Sequence, residues 1–115
     1  MSGLTTHVLD LATGRPAAGV VVRISARAGD SLTSLGAATT DADGRARLVE
    51  GAELKTGGYR LEFEVAAHFA ATGAAVSDPP FLEVVVIDFA VADPGQHHHV
   101  PLLVSPFGYS TYRGS

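Results

Sequence analysis

A chain of 115 residues that is 46% apolar and 17% charged has the length and composition of one folded domain over residues 1–115, outside the regime of disordered chains. A formal net charge of −4, with acidic and basic residues scattered, leaves no basic stripe to follow a phosphate backbone, so nucleic acid is excluded as an expected partner. Cysteine is absent, which removes disulfides, thiol chemistry and thiolate metal sites.

Apolar, β-branched runs of strand length alternate with Gly, Pro, Asp and Ser clusters, a pattern that predicts strands over residues 4–10, 20–27, 33–40, 45–49, 59–65, 82–91, 97–104 and 109–113. Thr13-Gly14-Arg15-Pro16 signals a turn after the first strand, and Asp43-Gly44 signals a tight hairpin. Ala66 to Thr72 supplies helix formers with Gly73 as a stop, and Asp78-Pro79-Pro80 blocks any continuation. The apolar stretch 81–92 is interrupted by Glu83 and Asp88 and is too short for the roughly 20 residues of a membrane helix, and residues 1–7 lack the pattern of a signal peptide. The fold class that follows is all-β: a two-sheet antiparallel β-sandwich of about eight strands with one short helix. Val20, Val22, Leu61, Phe63, Val84, Val86 and Leu102 are its candidate inward residues.

Five histidines stand out in a mildly acidic chain, three of them consecutive. Period-two alternation sends His97 and His99 to one face of a strand and His98 to the other, and places His7 on a face with Thr5 and Leu9. Taken singly, His97 to His99 read as a polar strand start facing solvent, and His7 as a surface or hydrogen-bonded residue. Arg45 and Arg47 read as solvated cations beside a hairpin, and His68 as a surface residue of the helix. No nucleophile elbow, His-Glu-x-x-His helix, P-loop or dinucleotide fingerprint is present, which removes support for serine nucleophiles, phosphate transfer and hydride transfer.

In combination these segments are recognisable. Leu4-Thr5-Thr6-His7-Val8-Leu9-Asp10, Gly14-Arg15-Pro16-Ala17, Thr40-Asp41-Ala42-Asp43-Gly44-Arg45, His97-His98-His99-Val100-Pro101-Leu102-Leu103 and the stretch from Ser105 through Tyr112-Arg113-Gly114-Ser115 resemble the 5-hydroxyisourate hydrolases, which have the transthyretin-like fold. The resemblance runs over nearly the whole chain, and its most specific element is Tyr112-Arg113-Gly114-Ser115; transthyretin, a hormone carrier of the same fold, lacks that tail and the catalytic histidines. One departure is His98, where the family usually has an aromatic.

The resemblance implies hydrolysis of 5-hydroxyisourate during urate breakdown, with no cofactor and no metal, by a homotetramer built as a dimer of dimers. It implies His7, Arg45 and His99 as catalytic residues and Tyr112, Arg113, Gly114 and Ser115 as the segment closing the substrate pocket. Either His7 or His99 serves as general base, with the other orienting water or substrate. Two alternatives remain open: a transthyretin-like carrier without chemistry, and a zinc site formed by His97 and His99 with His7. The ending Arg-Gly-Ser differs from a Ser-Lys-Leu peroxisomal address, so a cytoplasmic location is expected.

Overall fold

The computed structural model describes residues 3–114. Its elements in chain order are β1 (Gly3–Asp10), β2 (Arg15–Pro16), β3 (Val21–Ala28), β4 (Ser31–Thr39), β5 (Arg45–Glu50), a 3-10 turn (Gly51–Glu53), β6 (Gly57–Phe63), α1 (Val65–Thr72), β7 (Val85–Val91), β8 (His97–His99), β9 (Leu102–Ser105) and β10 (Gly108–Thr111). One sheet runs β4-β3-β6-β7, antiparallel throughout. The other is built around β1, which pairs antiparallel with β2 and β5 and parallel with β8 and β9; β10 then pairs with β9.

The sandwich follows from alternation. Leu4, Thr6, Val8 and Asp10 of β1 point inward and are buried, facing Val22, Ile24, Leu61, Phe63, Val85 and Ile87 from the other sheet. Leu102 and Val104 add the inward face of β9, and the buried Thr6 hydroxyl donates to the carbonyl of Val100 at 2.7 Å. Val65 and Phe69 pin α1 to this core, and Gly73 ends the helix in the left-handed conformation at φ 74°, as its place after Thr72 predicts. No helix among the described residues is long and apolar enough to cross a membrane.

Four expectations are corrected. In 82–91 the strand begins at Val85, and Val85 and Ile87 are the buried residues; Val84 is only partly buried and Val86 is exposed. Three consecutive valines carry no alternation, and the register is set instead by Asp88, whose carboxylate pairs with Arg60 on the outer face at 2.7 Å. The stretch 97–104 is two strands, because Pro101 has no N–H to give to the ladder. Asp43-Gly44 does not close a hairpin: β4 and β5 lie in different sheets, only Gly44 has a positive φ, and the Asp41 carboxylate holds the crossing by accepting from the N–H groups of Asp43 and Arg45. His68 is not a surface residue, since its Nε2 meets the Asp10 carboxylate at 2.8 Å and only 10% of its side chain is exposed.

Candidate active site

The site lies on the outer face of the β1 sheet. Directly paired residues share a face, so Thr5 opposite Arg47, His7 opposite Arg45 and Thr5 beside His99 place all five side chains together, with His97 beside Gly3 one step further along. A bulge makes this possible. Strict alternation along β5 would send Arg45, Arg47 and Val49 to one side, but the register shifts between Leu4 and Thr5, leaving Leu48 unpaired. Val49 therefore turns into the core while Arg45 and Arg47 face out.

These residues surround a cavity of about 400 Å³ lined by Thr5, Asp41, Arg45, Arg47, His97 and His99, a size suited to a small molecule. His7 is not among the lining residues; it pairs with Arg45 across the ladder between β1 and β5. Arg45 is positioned from its backbone, where its N–H donates to Asp41 Oδ1 at 3.0 Å, and its guanidinium forms no ion pair with any described residue. Arg47 lies 3.6 Å from the Glu50 carboxylate, an exposed pair that fixes little.

His99 is the most constrained group in the site. Its Nδ1 is 2.8 Å from the Thr5 hydroxyl, its carbonyl accepts from the N–H of Gly114 at 2.8 Å, and the tail crosses directly over its ring. Burial, then the charges of Arg45, His7 and His97, hold its imidazole below the usual histidine range, which favours the neutral ring. The Thr5 hydroxyl also lies 3.0 Å from Nε2 of His97. Among the described residues no group of three or more histidine or carboxylate side chains is arranged to hold a metal ion.

His7, Arg45 and His99 are thus brought to one face. Within a single chain the tail divides: Gly114 rests on His99, whereas Tyr112 and Arg113 line a second, apolar hollow with His98, Val100 and Phe89. Arg113 there donates to the Gln96 side chain at 3.1 Å. Ser115 lies outside the described residues. His98 faces away from the cavity, as alternation predicts, but it does not face solvent: it is 5% exposed and its Nδ1 donates to the carbonyl of Gln96. Thr5 is the site residue that sequence reasoning left without a role, although its place on the same face as His7 is the signal that marks it.

Two short-stranded sheets, one helix between the sixth and seventh strands, and an outward cavity of imidazoles and guanidinium define a transthyretin-like sandwich with a polar site of small-molecule size. The chain belongs to the HIUase/Transthyretin family, whose model matches residues 4–114. It is 68% identical over 115 residues to the 5-hydroxyisourate hydrolase of Caulobacter vibrioides, covering 100% of both chains. The crystal structure of (S)-allantoin synthase matches with a TM-score of 0.91 at 37% identity over 99% of this chain and 44% of that one, so the chain spans less than half of that protein. The 5-hydroxyisourate hydrolase of Klebsiella pneumoniae matches with a TM-score of 0.82 at 39% identity over 100% of both chains.

Proposed function

We propose that the protein is a 5-hydroxyisourate hydrolase of urate catabolism that releases 2-oxo-4-hydroxy-4-carboxy-5-ureidoimidazoline. The observation that carries this reading is the placement of His7, Arg45 and His99 on one face of the β1 sheet, with Arg45 and His99 lining a cavity of about 400 Å³. Two imidazoles and a guanidinium that forms no ion pair among the described residues suit a planar heterocycle rich in hydrogen-bond acceptors.

His99 is the general base. Its ring is held neutral and anchored through Nδ1, which leaves Nε2 to take a proton from water. The water oxygen bonds to the lactam carbonyl carbon, the C–N bond of the six-membered ring breaks, and the proton taken by His99 passes to the departing nitrogen. Arg45 stabilises the negative charge that develops on the carbonyl oxygen, and His7 beside it orients substrate or water. Positioned proton transfer of this kind contributes about a hundred- to ten-thousand-fold in rate. Tyr112, Arg113, Gly114 and Ser115 close the pocket in a cytoplasmic homotetramer assembled as a dimer of dimers; the contact of Gly114 with His99 supports the placing of Gly114, while Tyr112 and Arg113 line the separate hollow within one chain.

The test generates 5-hydroxyisourate in place with a urate oxidase and follows its ultraviolet decay. Rapid decay with wild-type protein, lost in His7→Ala, Arg45→Ala and His99→Ala, supports the proposal. Decay no faster than the spontaneous rate, or three variants as active as wild type, overturns it. Light scattering reads the assembly, and a monomer at assay concentration removes the tetramer.

A further inference from the structure

The Thr5 hydroxyl sits between two imidazole nitrogens, 2.8 Å from Nδ1 of His99 and 3.0 Å from Nε2 of His97. A hydroxyl carries one hydrogen. The arrangement that satisfies all three groups within the protein has one ring donating to Oγ1 and the other accepting from it. The three groups therefore form a directional chain whose two senses differ by a concerted shift of protons. Neighbouring strands hold the rings in register, His99 beside Thr5 and His97 beside Gly3, with the ring planes 17° from parallel and their centres 6.5 Å apart.

We propose that Thr5 is a positioning residue that sets the tautomer of His99 and links it to His97 as its proton partner. This rests on the reading of His99 as general base.

In the resting sense, His99 Nδ1–H donates to Thr5 Oγ1, and the Thr5 O–H donates to His97 Nε2. His99 Nε2 then carries a lone pair. When Nε2 takes a proton from water, the Nδ1 proton moves to Thr5 Oγ1 and the Thr5 proton moves to His97 Nε2. The positive charge passes from His99 to His97, and His99 is left as a neutral ring protonated on Nε2. The chain runs backwards as Nε2 delivers its proton to the departing nitrogen. All protons are accounted for, and water's proton ends on that nitrogen. The advantage is electrostatic. An imidazolium at His99 stands near Arg45 and His7, and both disfavour it; a charge at His97 is one register step further along the sheet.

Thr5→Val removes the hydroxyl and keeps the branched shape, whereas Thr5→Ser keeps the hydroxyl. The expected result is that Thr5→Val lowers kcat about 10- to 100-fold with KM changed by less than about twofold, and Thr5→Ser stays within about threefold of wild type. His97→Ala falls as far as Thr5→Val, and the double variant falls no more than about twofold below either single one, because both break the same chain. Losses that multiply, or wild-type kcat in His97→Ala, overturn the proposal.

A second readout does not depend on turnover. Long-range proton–nitrogen spectra of protein labelled at histidine nitrogen show His99 protonated at Nδ1 in wild type and Thr5→Ser, and protonated at Nε2 in Thr5→Val. An unchanged His99 tautomer in folded Thr5→Val overturns the proposal, and should Thr5→Val fail to fold, the same reading on His97→Ala and Thr5→Ser decides. Absence of 5-hydroxyisourate decay in wild type defeats the hydrolase reading while leaving this tautomer result to stand or fall separately.

Discussion

The Asp10 carboxylate and the His68 imidazole meet at 2.8 Å, joining the end of β1 to the middle of α1 across 58 residues of chain. Only 2% of the Asp10 side chain and 10% of the His68 side chain is exposed. The other Asp10 oxygen accepts from the N–H groups of Ala12 and Thr13, so one carboxylate both shapes the turn after β1 and anchors the helix. Asp10→Ala strands those donors and the imidazole away from water, and is expected to cost about 2–4 kcal/mol of stability. Chemical denaturation checks it, with His68→Gln, which retains a donor, losing less.

Gly114 makes the second prediction. A Cβ there would lie 2.5 Å from Cδ2 of His99 and 3.2 Å from Cγ, so even alanine must displace the imidazole or lift the tail. Gly114→Ala is expected to lower turnover by at least about tenfold, because a general base moved by a fraction of an ångström loses its approach to water. Stability should barely change, and paired kinetic and thermal measurements separate the two effects.

His99 gives a pH prediction with a defined sign. Burial first, and then the charges of Arg45, His7 and His97, place its folded-state proton affinity below the unfolded value of about 6.5. The stability this group contributes is therefore whole above about pH 6.5 and is lost as pH falls from there through the lower folded value. The acid limb of kcat/KM for wild type should lie below about pH 6.5. Removing the Arg45 charge with Arg45→Gln should move that limb upward while reducing the rate, and a pH–rate profile of both proteins reads the shift.

The register of β7 is tested by neighbouring valines. Val85 is 1% exposed and Val86 is 40% exposed. Val85→Ser is expected to cost about 2–4 kcal/mol, and Val86→Ser less than about 0.5 kcal/mol, by urea denaturation.

Much of the fold was legible because alternation is a strong signal wherever polar residues interrupt the apolar ones, as along Thr5, Thr6, His7 and Val8. Where Val84 to Ile87 present one apolar surface on both sides, the pattern is silent, and Asp88 decides the register through its partner Arg60 on β6. The shared face of His7 and Arg45 could not be read from either segment alone, since it depends on the pairing of β1 with β5 and on the bulge at Leu48. The same holds for His68, whose partner Asp10 belongs to a different element. Neither a bulge nor a contact between distant elements leaves a local mark in composition. The consecutive histidines did leave one, and their division between two faces followed directly from the strand period.

The first strand touches β2, β5, β8 and β9, so every group around the cavity is located by reference to it. Thr5 and His99 are 94 residues apart in sequence. No fragment comprising only the early strands can hold the constellation, because His97 and His99 arrive with β8. During refolding, catalytic competence should therefore lag behind the gain of sheet structure and coincide with the docking of β8 against its parallel neighbour, making turnover a reporter of complete folding and not of partial order.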